Sequence, residues 1–346
     1  MPGTRRLWQL YPQTLSPSTE LDYRPPQPWP GSATPPDIVD LRTFTDVHSW
    51  ADIKIVNYLV GSRPNHSATA HPDVLYTLQP SRAFELPANN ATARIAFAEI
   101  CLAHVLAAPA IAAGPLNFVT ITSTQHAFPV GDRRVRFPAD RETNAQARRD
   151  GLAARFNVIR LQKTACQALE GIPFIGMVEP ALFRRWGPNG RTGRDWVSWH
   201  CHLITWGAIQ SVVSRRLAPL RDNHDSMLEN VAAAHVEPIT PGDVHRKLVY
   251  MLKAPQKLYR VEYFKEPWTN PRTGEFYPPG WHVNKDWLRT GDRIRLLDVM
   301  GGRTLDALLF GLHTGTTLVG AIRAEALAPF RAWEARQPWM QQAEAD

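Results

Sequence analysis

The chain is poor in cysteine. Its three, Cys101, Cys166 and Cys201, are too few and too scattered for a disulfide framework or a cysteine-rich zinc site. They read as reduced thiols, and the expected location is the cytoplasm. A long apolar run is lacking as well. The best one, near residues 92–113, is interrupted by Arg94, Glu99, His104 and Pro109 and reads as an alanine-rich helix rather than a membrane span. No apolar stretch follows the basic residues of MPGTRRLWQLYPQ, so neither a secretory signal nor a membrane partner is expected. A GxxxxGK[ST] loop is absent too, and unwinding by an attached nucleotide-driven motor is not expected. Acidic residues are outnumbered, 32 against 39 lysines and arginines, for a net charge of +7. That balance favours an anionic partner, nucleic acid or an anionic membrane surface, without choosing between them.

At 346 residues the chain can bury a large core and suits one catalytic domain with extensions, or two domains. Residues 10–37 hold eight prolines and few aliphatics, so residues 1–37 read as a proline-rich arm. Residues 38–113 form a mixed segment with a helix over 91–111. LNFVTIT, 116–122, alternates polar and apolar residues with β-branched side chains and predicts a strand. A loop follows over 124–140, with a small hairpin around Gly131. A helix over 141–170 carries Leu152, Phe156, Ile159 and Cys166 on one stripe and stops at Gly171 and Pro173. IPFIGMVEP, 172–180, and WVSWHCHLITWG, 196–207, predict two strands of a long antiparallel hairpin with a basic, turn-rich tip. Residues 208–235 read as partly helical. Pro241-Gly242-Asp243 starts a helix over 244–253, and LYRVEYF, 258–264, predicts a strand. The tail from 284 reads as helical in places, broken at Gly301-Gly302. The order strand, helix, hairpin, helix, strand predicts an α+β fold with an antiparallel sheet.

Three places carry chemistry. His200 and His202 share one face of a strand while Cys201 points away, and two imidazoles so spaced can bind one divalent ion. By itself the pair better describes a hydrogen-bonded or solvent-facing arrangement. Glu179, at the end of the neighbouring strand, could face them. Two nitrogens and one oxygen leave open positions for phosphate and water, and suit Mn²⁺ at least as well as Mg²⁺. Tyr250 and Lys253 are three residues apart on a helix, so phenol and ammonium can point at one substrate. A half-buried tyrosine with snorkelling lysines fits that spacing too. Lys247, Lys253 and Lys257 make the stretch basic in either case. Arg184, Arg185, Arg191 and Arg194 at the hairpin tip, with Trp186, are candidate phosphate and base contacts, and Arg133, Arg134 and Arg136 are a second patch.

No piece is specific alone, but their order is. A strand FVTIT (118–122), a strand with His200-x-His202, and a helix with Tyr250-x-x-Lys253 together resemble the HUH endonuclease superfamily, in particular rolling-circle plasmid replication initiators and phage replication A proteins. The resemblance covers about residues 114–265. It implies an antiparallel-sheet core of the ferredoxin or RRM-like palm type with helical extensions, the segment 266–346 being a C-terminal helical one. It further implies a metal-dependent, site-specific DNA-nicking and strand-transfer endonuclease. His200, His202 and Glu179 would be the ligands of Mg²⁺ or Mn²⁺, and Tyr250 the nucleophile of a 5′-phosphotyrosine intermediate, assisted by Lys253. Single-stranded or hairpin origin DNA would be the substrate, with host helicase and polymerase as partners. This chain departs from the pattern in having Cys201 between the histidines, Trp199 where proline is common, and a longer hairpin between Glu179 and His200. Ala254 stands where the phage A proteins carry a second tyrosine, which points to a one-tyrosine mechanism. A single-tyrosine transposase, a DNA-binding replication or repressor protein without catalysis, and a metallohydrolase using water are the alternatives.

Overall fold

The structure, a computed structural model, describes residues 37–60, 76–130, 157–186, 194–228, 231–271 and 274–337. It is α+β. Six strands, β1 (Leu116–Ile121), β3 (Phe174–Trp186), β4 (Arg194–Trp206), β5 (Ala234–Ile239), β6 (Lys257–Phe264) and β9 (Gly280–Trp287), run in the order β5-β1-β4-β3-β6-β9. Two short strands join off this path: β2 (Ala127–Pro129) on β4 and β10 (Leu309–Leu312) on β3. A separate pair is formed by β7 (Trp268–Thr269) and β8 (Phe276–Tyr277). Every pairing is antiparallel except β3 with β6.

Ten helices surround this sheet among the described residues. They are α1 (Leu41–Val60), α2 (Ala91–Ala107), α3 (Pro109–Ala113), α4 (157–168), α5 (Gln210–Asn223), α6 (Val244–Leu252), α7 (Thr290–Met300), α8 (Leu305–Leu308), α9 (Thr314–Ala326) and α10 (Ala328–Glu334). Because helices cover it, β3 is buried on both faces over most of its length, and its sequence, FIGMVEPALF, is nearly continuous in apolar residues. One apolar cluster runs from Ile38 on the N-terminal side to Ala326 in α9 and includes residues from all six main strands except β9. Where α9 meets β3 the two backbones touch. A Cβ on Gly315 would fall 1.7 Å from the Phe174 carbonyl oxygen, so only glycine fits there.

The hairpin β3–β4 forms as the alternation predicts. It runs further toward the tip than the predicted spans, to Trp186 and Arg194, starts and ends slightly inside them at Phe174 and Trp206, and has an irregularity between Phe183 and Trp186, where Arg185 adopts a left-handed φ of 55°. Other expectations are corrected. The described part of the predicted 141–170 helix buries Val158, Leu161, Ala165 and Leu169, while Ile159 is exposed and Cys166 half-buried, so the apolar stripe is one residue out of phase with the predicted one. Leu152 and Phe156, the arm over 1–36 and the hairpin at Gly131 lie outside the described residues. The stretch 208–235, expected to be partly helical, is helical over Gln210–Asn223, and its last two residues begin β5, Ala234–Ile239. The described residues of the C-terminal segment 266–346 are helical in α7, α8, α9 and α10, but they also contribute β9 and β10 to the main sheet. No described helix is long and apolar enough to cross a membrane.

A candidate metal centre beside a tyrosine

Cross-strand register builds the site. In the β3–β4 ladder Glu179 stands directly opposite His200, and Met177 opposite His202. In the β1–β4 ladder Thr120 stands opposite His202. Side chains directly opposite share a face, and so do residues two apart on one strand. Glu179, His200, His202 and Thr120 therefore converge on one side of the sheet. Glu179 Oε2 lies 3.6 Å from His200 Nε2 and 3.8 Å from His202 Nε2. One ligand atom from each of the three lies within 4.8 Å of the others, close enough to hold one metal ion.

The chemistry of these donors fits a divalent cation. His202 is buried, and burial holds its imidazolium form far below the usual histidine range, helped by repulsion from His200 and Lys253. The ring is thus neutral near pH 7. Its Nδ1 lies 2.9 Å from the Thr120 hydroxyl, while its Nε2 is buried with no hydrogen-bond partner. If Nδ1–H donates to Thr120, Nε2 presents a lone pair toward Glu179, the arrangement of a metal-binding histidine oriented by a second hydrogen bond. Burial opposes ionisation of Glu179. The Lys253 ammonium, the hydrogen bond from His200 and the two imidazoles outweigh it and hold the carboxyl well below the usual carboxylate range.

Helix α6 lays the tyrosine on the same face. Its buried stripe is Val244, Leu248, Met251 and Leu252, with Val249 alongside, which turns Lys247 and Tyr250 outward toward the sheet's polar face. Its entry is fixed by Thr240, whose backbone N–H and hydroxyl both donate to Asp243 Oδ2, and by Pro241 in the first turn. It ends at Leu252, one residue before the predicted end. Lys253 is already extended, with φ −61° and ψ 152°, and Pro255 follows. The Lys253 ammonium nonetheless lies 4.3 Å from the Tyr250 ring centre and 2.5 Å from Glu179 Oε2. The Tyr250 ring is edge-on to His202 at 5.1 Å and to Phe118 at 6.1 Å, and it is 37 % exposed, open to a large substrate.

Two buried residues that the sequence reading passes over hold the end of this helix. Arg94 in α2 donates from Nη1 to the Leu252 carbonyl at 2.6 Å and from Nη2 to the Ala88 carbonyl at 2.7 Å. Burial lowers its pKa to about 10, partly offset by the Glu179 carboxylate. His48 in α1 accepts from the Ala254 backbone N–H at 2.9 Å through Nε2, so its Nδ1–H donates to the Phe44 carbonyl at 2.6 Å. An arginine in an alanine-rich helix, at a position that would otherwise face the core, is the signal that marks Arg94.

A cleft of about 370 Å³ opens over the site. It brings together Glu179, His200, Tyr250, Lys253, Lys247 and Lys257 from the expected set. Lys247 is 2.5 Å from Glu237 and 4.8 Å from the Phe118 ring centre. Residues outside the expected set also line the cleft: Arg246, Gln256, Tyr259, Lys285 and Trp287. Of the hairpin-tip arginines, Arg184 and Arg185 are not among the residues that line it. Arg184 is committed to the buried Asp292 at 3.2 Å and approaches Asp195 at 3.6 Å, and the Arg185 backbone N–H donates to Asp195 Oδ1. Trp186 donates to the Met227 carbonyl and packs edge-on against Trp196. Arg191, the Arg194 side chain and Arg133, Arg134 and Arg136 lie outside the described residues.

Fold and site together define an α+β protein with a mostly antiparallel sheet, carrying a Glu-His-His group able to hold a metal ion beside a partly exposed tyrosine. Comparison of the chain with protein-family models, with curated proteins and with solved structures gives no match.

Proposed function

We propose that the protein is a metal-dependent, single-tyrosine DNA-nicking and strand-joining enzyme, similar in its core to the HUH endonucleases and acting at the start of rolling-circle replication. The observation that carries this reading is the meeting, on one sheet face, of Glu179, His200 and His202 with Tyr250 and Lys253. A water-using metallohydrolase has no need of a half-exposed tyrosine packed against a ligand histidine, and a binding module needs neither.

Glu179, His200 and His202 would hold Mg²⁺ or Mn²⁺, with mixed nitrogen and oxygen ligation favouring Mn²⁺. Bound there, the ion would polarise the scissile phosphate as a Lewis acid. Tyr250 attacks phosphorus through its phenolic oxygen. The Tyr250 O–P bond forms as the P–O3′ bond breaks. The phenol proton passes to water at this exposed position, and the departing 3′ oxygen takes one from water to leave a free 3′-hydroxyl. Lys253 moves between Glu179 and the developing negative charge, while Arg94 and His48 tie the end of α6 to α2 and α1. The phosphodiester is conserved in the tyrosyl bond, so attack by a 3′-hydroxyl rejoins DNA with no nucleotide cofactor. The substrate would be single-stranded or hairpin origin DNA in the cytoplasm, with helicase and polymerase supplied by the host.

The test is covalent adduct formation with labelled single-stranded fragments tiled from the source replicon. An SDS-resistant adduct that requires Mn²⁺ or Mg²⁺ and is lost on adding EDTA supports the reading. Cleavage without an adduct indicates a water nucleophile. Tight metal-independent binding without cleavage indicates a DNA-binding module. Joining of cut ends to unrelated DNA indicates a transposase.

A further inference from the structure

The cleft does not end at the metal centre; the same sheet face continues outward along the β6–β9 ladder. Register pairs Lys257 with Trp287, Tyr259 with Lys285, Val261 with Val283 and Tyr263 with Trp281. Residues two apart on a strand share a face. These four pairs therefore form one ribbon, roughly 20 Å long. Its inner end, Lys257, Tyr259, Lys285 and Trp287, lines the cleft. Tyr259 joins it to β3 by stacking on Phe183 at 4.8 Å. Its outer end is solvent-exposed: Tyr263 and Trp281 are 54 % and 44 % accessible and lie 5.1 Å apart.

Charge is partitioned between the two faces of this ladder. The ribbon holds two lysines, four aromatic rings and no acid. Both acids within the two strands, Glu262 and Asp286, fall on the opposite face, where Glu262 approaches Arg260 and accepts from Asn284. Among the cleft's cations, Lys247, Lys253 and Arg246 each approach a carboxylate. Lys257 and Lys285 instead lie over aromatic rings, 5.0 Å from Trp287 and 5.5 Å from Tyr259.

We propose that the β6–β9 ribbon is a track for single-stranded nucleic acid, on which bases stack on Trp287, Tyr259, Tyr263 and Trp281 and phosphates meet Lys257 and Lys285. Alternating flat rings and cations without acids suit a polyanion whose bases are unpaired. A duplex hides its base faces and gains nothing from exposed rings. The proposal rests on the reading of the cleft as a DNA-cleaving site, since it takes the strand from that cleft outward.

Fluorescence anisotropy with an oligothymidylate of about twenty nucleotides, longer than the track, tests it in EDTA. The full chain is compared with a Tyr263→Ala/Trp281→Ala double variant and with Lys285→Glu, all at exposed positions. Affinity is expected to fall about tenfold or more in the double variant. For Lys285→Glu it falls too, with a salt slope shallower by about one. Affinity within about twofold of wild type in both variants overturns the track. So does a double variant that loses self-association by sedimentation while binding the oligonucleotide unchanged, which makes the ribbon an interface between copies. A metal-dependent adduct together with unchanged oligonucleotide affinity in the variants overturns the track alone. Ring-dependent binding without any adduct supports the track and overturns the nicking reading alone.

Discussion

Glu179 stands directly opposite His200 across the β3–β4 ladder, its Oε2 3.6 Å from His200 Nε2. The length of the intervening hairpin is therefore immaterial to the ligand set. Antiparallel register, not loop length, sets which side chains meet, and here it also brings His202 within 3.8 Å of the same oxygen.

Glu179→Gln and His202→Ala are each expected to abolish measurable Mn²⁺ binding by calorimetry. Thr120→Val, which removes only the hydrogen bond to His202 Nδ1, should weaken it by roughly 10–100-fold. Equal Mn²⁺ affinity in Thr120→Val and wild type would show that Thr120 does not orient the ring.

Lys253 touches both the carboxylate and the tyrosine ring. Lys253→Met should slow adduct formation by about 10²–10³-fold, while Lys253→Arg should recover part of the rate. DNA affinity measured without metal is expected to change only a few-fold, because this lysine acts on charge that develops during reaction. A fall confined to affinity, with the single-turnover rate unchanged, would assign it to ground-state binding.

Acid should loosen the anchor of α6. Burial lowers the His48 pKa to about 3, against 6.5 for an exposed histidine, and lowers that of His126 to about 4. Both bind protons more readily unfolded than folded. Their contribution is thus complete above pH 6.5 and is lost as pH falls toward the folded values. Each adds a slope of about 1.4 kcal/mol per pH unit between those limits. Urea midpoints should fall steadily from pH 7 to pH 5, and His48→Gln should lower stability at pH 7 but flatten that fall. A midpoint independent of pH over this interval would contradict the buried, neutral state of both rings.

Much of the sheet was legible in the sequence because β1, β4 and β6 alternate or carry β-branched and aromatic residues, and β3 is a continuous apolar run. His200 and His202 could be placed on one face by alternation alone. Other parts depend on contacts distant in sequence. The strand β10, LFGL, is four residues long and is a strand only because β3 pairs with it, and β5 carries Pro238 on a sheet edge, where a missing N–H is tolerated. In β9 the alternation of Trp281, Val283, Lys285 and Trp287 was present but mixed with charge, and it was expected to be helical from residue 284. That error concealed Lys285 and Trp287 as residues of the cleft wall. Arg94 and His48 were invisible as site residues because their partners, the Leu252 carbonyl and the Ala254 amide, are backbone groups more than 150 residues away.

The most direct measurement is to map the attachment point of any DNA adduct by proteolysis and mass spectrometry, using wild type and Tyr250→Phe in Mn²⁺. The expected result is a single nucleotide-bearing peptide with a 5′-phosphate on Tyr250, no adduct in the variant, and metal-free DNA affinity retained by it. An adduct on another residue, or strand cleavage undiminished in Tyr250→Phe, would contradict the role assigned to Tyr250 and with it the tyrosine-nicking function.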